Sequence, residues 1–270
     1  MSRMPPPEKD PGTAGGSPER FGFSWDNYAE LLPEHEEQFR LWTAPLQPED
    51  WRGKRFLDAG CGMGRNTYWP LSYGAAACVS IDVDERTLAR ARQTLALFPQ
   101  TEIRHLSIYD IPDTDAFDIV FSIGVVHHLA DPDAALARLK QAARPGGLVL
   151  VWLYGAENNG WVIWLFNPCR RLLFSRLPLG VVHFLSIPLT AILWLALRPG
   201  ISRKPYFRLI RGFSFRHLRA IVFDHMIPRI ARYYTKSEAI ALFARAGLTD
   251  IEARWTNKMS WTVTGRKPLA

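Results

Sequence analysis

An α/β fold built on a Rossmann-like, mostly parallel seven-stranded sheet is predicted by three features of the 270-residue chain. Short apolar runs alternate with segments of helical periodicity, the first run ends in a glycine-rich turn that opens a helix, and the second ends in an acid. The runs fall at 54–59, 76–81, 101–106, 117–122, 148–153, 248–253 and 260–265. Alternation of this kind puts helices on both faces of an open sheet. A helical insertion is expected after the fifth strand.

The helices follow from their end signals. Residues 65–73 continue from the glycine turn. Asp84 is placed to cap a helix whose Leu88, Leu95 and Phe98 fall at helical spacing. Asp131 at the N-cap and Pro132 at the first helical position start another over 131–143, and Pro145, Gly146 and Gly147 stop it. Thr235 and Glu238 form a capping-box pattern, Ile240, Leu242, Phe243 and Ala246 supply an apolar face, and Gly247 stands where a C′ glycine belongs.

Composition excludes several classes. With 47 % apolar and 22 % charged residues the chain is not largely disordered, and a mean hydropathy of -0.09 excludes a bundle of membrane spans. Cys61, Cys78 and Cys169 form no CxxC pair and have no His at ligand spacing, so neither a disulfide framework nor a metal site is expected. A reducing, cytoplasmic compartment is the default. Residues 1–20 are rich in Pro, Gly and charge without an apolar core, which predicts a disordered tail and no secretory signal.

Charge divides the rest in two. Residues 157–232 carry twelve Lys or Arg against two acids, whereas the remainder is slightly acidic. The expected organisation is therefore a body over 21–155 and 233–270 that performs the chemistry, and a basic, apolar insertion over 156–232 that meets the partner.

Asp58, Gly60, Gly62 and Gly64 (DAGCGMG) lie at the end of the first strand, where a ligand must approach the backbone closely. GxGxxG counted from Gly60 ends on Arg65 and from Gly62 on Thr67, so the dinucleotide fingerprint fails. No GK[ST] follows, which excludes a P-loop. What remains is DxGxGxG with a second acid, Asp82, closing the next strand; two ribose hydroxyls can each donate to one carboxylate there.

On these residues the chain resembles the class I S-adenosylmethionine-dependent methyltransferases. FLDAGCGMGR from Phe56 is similar to the family's cofactor loop, SIDVDERTLARAR from Ser80 to its ribose segment, FDIVFSIGVVHHLADP from Phe117 to its fourth strand and active-site edge, and ARPGGLVLVWLYG from Ala143 to its fifth strand. The resemblance implies S-adenosylmethionine held by Asp58, Gly60, Gly62, Gly64, Asp82, Ser107 and Ile108. Ser107 stands where the family often has Asp, so adenine recognition is expected to lean on the backbone at Ile108. Trp25 and Tyr28 either close over the cofactor or anchor an N-terminal segment on the body.

The implied reaction is in-line displacement of a methyl group, which requires alignment more than acid–base groups and no metal. His127 and His128, just past the fourth strand, are the candidate bases for an oxygen acceptor, His128 filling a slot where the family usually carries His. Gly124 and Val125 are expected beside the transferred methyl group. Nucleic-acid amino methyltransferases want [DNS]PP[FYW] at this point, and the chain reads Ser122, Ile123, Gly124, Val125. His225, where the chain re-enters the body, is a candidate acceptor contact.

Within the insertion, residues 177–197 carry no formal charge and would span about 31 Å as a helix. A single crossing would leave the two halves of the sheet on opposite sides of a bilayer, and Pro178 and Pro188 are expected to interrupt the run. Arginine-rich flanks, aromatics and apolar helices together describe an element drawn to an anionic membrane surface. The expected acceptor is accordingly hydrophobic or lipid-linked, met on the inner face of the cytoplasmic membrane. Nucleic acid would explain the charge but not the Leu, Ile and Trp run, and is not expected as the partner. A lid or homodimer face in a soluble enzyme for a small secondary metabolite is one alternative; a non-catalytic S-adenosylmethionine-binding protein is another.

Overall fold

The structure is a computed structural model that describes residues 20–21, 31–160, 162–198 and 205–269. Two helices, α1 (Pro33–Thr43) and α2 (Pro48–Trp51), lead into β1 (Arg55–Ala59), α3 (Arg65–Ser72), β2 (Ala77–Asp82), α4 (Glu85–Thr94) and β3 (Thr101–His105). β4 (Phe117–Ile123), α5 (Pro132–Ala142) and β5 (Ala143–Tyr154) follow. The strands lie in the order β3-β2-β1-β4-β5-β7-β6, parallel except for β7 (Ser260–Arg266), which pairs antiparallel with both β5 and β6 (Thr249–Thr256). Positive φ at Asn257 and Lys258 gives the β6–β7 turn the hand that matches strand twist.

Period-two alternation along the strands feeds two cores. Phe56, Ile119, Phe121, Ile123 and Leu150 face α1 to α3 with Phe39, Trp51 and Trp69. Their neighbours Leu57, Val120, Val149 and Val151 face α5 and the late helix α9 (Lys236–Arg245) with Leu136, Leu139, Leu242 and Phe243. The expected caps are present: Asp84 Oδ1 accepts from the N–H of Arg86, Asp131 Oδ1 from Ala134, and Thr235 and Glu238 cap each other. One boundary differs. α5 ends at Ala142, and the Pro145–Gly146–Gly147 run expected as a stop is already part of β5. A Cβ on Gly147 would stand 2.8 Å from the Arg144 carbonyl oxygen and 3.0 Å from that of Phe117, so the glycine permits a close strand approach there.

Between β5 and α9 the chain forms the insertion. A helical stretch runs through Val162–Phe166, Asn167–Cys169 and Arg170–Phe174, with π-type turns at both ends. α6 (Leu179–Leu197), α7 (Pro205–Ile210) and α8 (Phe215–Met226) complete it. It has its own small cores, Val182 with Phe223, Met226 and Ile227, and Leu197 with Ile210, Phe213 and Leu218. Arg219 ties α8 to α6 by donating to Ser186 Oγ at 3.0 Å and to the His183 carbonyl at 2.7 Å.

Two sequence expectations are corrected here. Pro188 does not interrupt the apolar run: α6 is continuous through it. The proline lies on the exposed face, where the carbonyl it leaves without an N–H can meet solvent. Arg20 does not belong to a tail, because it is 6 % exposed and donates to the carbonyls of Phe174 and Leu177. The remainder of the expected tail, and Trp25 and Tyr28, lie outside the described residues.

Candidate active site

A cleft of about 650 Å³ opens at the carboxyl ends of β1, β2 and β4 and continues under the insertion. Its sheet end is lined by Gly60, Cys61, Gly62, Met63, Asp82 and Ser107. Its far end is lined by Leu189, Ile192, Leu193, Tyr206, Phe207 and Ile210 of the insertion. Such crevices outside strand ends are where open α/β sheets bind ligands.

The glycine turn is held against the sheet by packing and by one carboxylate. Gly60 adopts φ +86°, and a Cβ there would stand 2.3 Å from Val125 Cγ2. Asp82 Oδ2 accepts the N–H of Gly62 at 3.0 Å and Oδ1 accepts that of Asp84 at 3.1 Å. Each carboxylate oxygen keeps acceptor capacity for a ribose hydroxyl. Burial raises the Asp82 pKa, with the backbone hydrogen bonds working against it. Beyond Asp82, Leu106, Ser107, Ile108 and Leu129 form an apolar slot. The Ser107 hydroxyl accepts the Tyr109 N–H at 3.3 Å and keeps its own proton to donate to a ligand, beside the apolar walls and backbone of the slot. A diol acceptor between an apolar slot and a bare glycine backbone fits the S-adenosylmethionine expected from the sequence.

Two expected cofactor contacts lie elsewhere. Asp58 is 1 % exposed and absent from the cleft wall; its Oδ2 accepts the Thr67 hydroxyl at 2.7 Å, and that hydroxyl lies 3.0 Å from Ser80 Oγ. Burial pushes its carboxyl up to about 7, although the Thr67 bond opposes this. Gly64 also stands behind the wall, where a Cβ would meet Leu95 Cδ1 at 2.9 Å. Both residues shape the turn from within rather than face a ligand.

The histidines separate as well. His127 is fully buried and does not line the cleft; its ring lies 3.9 Å from that of Tyr154. Burial, then the neighbouring His128, push its pKa well below the ordinary histidine value. A base that cannot reach the cleft cannot serve an acceptor, so the expectation for His127 is corrected. His128 lines the cleft, and its Nδ1 lies 2.7 Å from the Ile230 carbonyl oxygen. A carbonyl only accepts, so Nδ1 carries the proton and Nε2 keeps its lone pair. Burial holds the ring down to about 3, the Ile230 bond opposing and the charge of Arg170 assisting.

Gly124, Val125 and His225 line the cleft as expected. Gly124 has φ +79° and open space where a side chain would project. His225 is pushed down to about 4 by burial and then by Arg170. Several residues went unanticipated. Tyr154, at the carboxyl end of β5, could have been found from that position alone. Arg65, at the start of α3, lines the cleft, and the charge of Asp224 on α8 supports its protonated form against burial, which lowers it to about 10. His35 and His217 stand beside it with ring centroids 4.9 Å apart. No local signal joins these three to the glycine turn.

Residues 57–151 match the family model described as a methyltransferase domain. An uncharacterized protein of Synechococcus is 37 % identical over 37 % of this chain and 25 % of its own length. A protein of Pseudoalteromonas translucida named tRNA U34 carboxymethyltransferase is 35 % identical over 59 % of this chain and 47 % of its own. The chain thus spans a quarter to about half the length of these curated relatives. Among solved structures, a methyltransferase of Thermotoga maritima titled a possible histamine N-methyltransferase superposes with a TM-score of 0.52, covering 93 % of this chain and 99 % of that one at 14 % identity, a likeness of fold. Further relatives carry the tRNA carboxymethyltransferase name. Those names overturn the expectation that nucleic acid is not a partner, since they attach an RNA acceptor to proteins similar to this chain.

Proposed function

Because the chain belongs to the class I S-adenosylmethionine-dependent methyltransferase family, we propose that it methylates a hydrophobic or lipid-linked acceptor at oxygen, held between the glycine turn and the insertion at a membrane surface. The observation behind this is the continuity of the cleft. It runs without a break from Gly60 and Asp82 to the apolar side chains of α6 and α7. Its volume is of the size that encloses small organic ligands, roughly 300–1,000 Å³.

When bound, the cofactor supplies a methyl carbon on a positively charged sulfur, so the protein must chiefly align two molecules and exclude water. Asp82, the backbone of Gly60 to Met63, and the slot at Ile108 would hold it. Arg65 directly follows the glycine turn, lines the cleft and suits the cofactor's carboxylate. Val125 and Gly124 border the meeting point, the glycine leaving room for the acceptor. His128 is neutral at physiological pH, and its Nε2 takes the proton from an acceptor hydroxyl as the methyl group arrives. The other proton stays on Nδ1, which donates it to the Ile230 carbonyl oxygen.

A second reading comes from the relatives named for tRNA. The twelve Lys and Arg of residues 157–232 would then meet RNA phosphates. Methyl-labelled cofactor, supplied with the protein to a membrane extract, a soluble extract and purified tRNA separately, distinguishes the two. Label in an organic-extractable membrane product supports the first reading. Label confined to tRNA, or to water-soluble products, overturns it.

A further inference from the structure

We propose that the acceptor hydroxyl is phenolic, its ring lying against Tyr154 and Tyr233 and its oxygen in the field of a buried cation, Arg170. This deepens the proposed function and rests on its oxygen acceptor. The rings of His128, Trp152, Tyr154, His225 and Tyr233 all line the cleft. Tyr154 is their hub: the other four centre 5.5, 5.5, 5.6 and 5.5 Å from it for His128, Trp152, His225 and Tyr233. The wall stands at the transfer end of the cleft, because Trp152 pairs in register with Ile123, and Gly124 next to it leaves open space. Rings with room in front of them take a flat ring by offset or edge-on contact. An apolar substituent on that ring can follow the cleft towards Leu189 and Phe207.

The cation behind the wall selects the charge of what lies in front of it. Arg170 is 2 % exposed, and no carboxylate among the described residues pairs with it. It donates to Asn167 Oδ1 and to the Tyr233 hydroxyl, and its Nε has no hydrogen-bond partner among the described residues. A buried guanidinium without a counter-ion is costly, and negative charge developing close by offsets that cost. Arg170 does not itself line the cleft, so it is a positioning residue that acts through Tyr233. A guanidinium only donates, so Tyr233 Oη accepts from it and keeps its own proton for an acceptor oxygen. The same charge helps to hold His128 and His225 neutral, and it opposes an ammonium in front of these rings. The acids of the cleft wall do not reverse this. Asp82 is held by backbone N–H groups at the cofactor end, and the charge of Asp224 is met by Arg65. A base as weak as His128 suits a hydroxyl that parts easily with its proton, as a phenol does and an alkanol does not. In the transfer that proton passes to His128 Nε2, an oxygen lone pair forms the bond to the methyl carbon, and the carbon–sulfur pair returns to sulfur.

The test uses para-nitrophenol, whose ionisation is visible by absorbance, bound to the full chain with S-adenosylhomocysteine present so that no methyl group can move. The bound probe should ionise at a pH roughly 1 unit or more below that of the free probe, as a positive charge nearby dictates. R170M should abolish that difference, R170K should retain part of it, and Y233F should reduce it with S-adenosylhomocysteine affinity unchanged. Because R170M deletes a buried cation that has no counter-ion, its melting temperature should not fall. If it does, Y233F, which keeps the ring, carries the test. Binding of para-nitroanisole, which cannot ionise, should be the same in R170M as in the native protein. A bound probe that ionises like the free one, or equally in R170M and native protein, overturns the proposal. So does a probe that fails to bind, or that para-nonylphenol fails to displace. Label from methyl-labelled cofactor in aliphatic alcohols of a membrane extract, and in no phenol, removes the phenolic acceptor and leaves the proposed function. A probe that ionises early while no apolar product of any extract takes label does the reverse.

Discussion

The Nδ1 of His128 lies 2.7 Å from the carbonyl oxygen of Ile230, and this contact joins the end of β4 to the chain leaving the insertion. One bond thereby sets the tautomer of the candidate base and ties the acceptor region to the sheet. His128→Ala is expected to lower kcat roughly 100- to 10,000-fold with an oxygen acceptor, with cofactor affinity little changed. Because the ring is held down to about 3, native activity should lack a titration step near pH 6.5. A rate that rises through that pH in the native protein and not in His128→Ala would contradict the assignment.

Acid should destabilise the fold through its buried histidines. His35, whose Nδ1 accepts the Leu32 N–H at 3.1 Å, and His128 are both held near 3, while an unfolded chain would protonate them at about 6.5. The unfolded state therefore gains protons first as pH falls, and stability is lost below about 6.5. Each should cost about 1.4 kcal/mol at pH 5.5. Thermal melts from pH 8 to pH 5 check this, and a midpoint that does not fall below about pH 6.5 would count against it.

Asp58 has the opposite sign. Its folded pKa, near 7, lies above the unfolded value near 3.8, so its contribution is complete below the latter and lost as pH rises through the former. Asp58→Asn keeps an acceptor for Thr67 without a buried charge. Its stability relative to native should therefore increase from pH 4 to about pH 7 and then level off, by a few kcal/mol at most. Paired melts across that range measure the difference.

Gly60→Ala combines a positive φ with a clash on Val125. It should weaken S-adenosylhomocysteine binding about 10- to 100-fold, equivalent to roughly 1–3 kcal/mol of backbone strain. Adding Val125→Ala removes the 2.3 Å contact with Cγ2 but leaves Cβ at 3.1 Å and the strained φ, so calorimetry should find partial recovery. Full recovery would assign the whole effect to packing.

Much of the sheet was legible because its rules are local. Alternating apolar residues such as Phe56 and Leu57 must face opposite sides of a strand, and Asp84, Asp131 and Thr235 cap the helices they precede. Asp82 was legible for the same reason: an acid at the end of the second strand reaches the neighbouring turn by geometry alone. The composition of residues 157–232 likewise announced an element different in kind from the body.

The direction in which each polar side chain points was decided only by tertiary packing. Asp58 and Asp82 both lie at the carboxyl ends of strands, penultimate in β1 and last in β2, yet one turns inward to Thr67 and the other lines the cleft. His127 and His128 are adjacent with ring centroids 4.2 Å apart, yet only His128 lines the cleft, where the carbonyl of Ile230, 102 residues on, holds its Nδ1. Arg65 meets Asp224 in the same way, across the insertion. Local sequence sets which face of an element is apolar. Contacts between residues far apart in the chain depend on the closed fold, because only there are burial and charge imposed on those groups together.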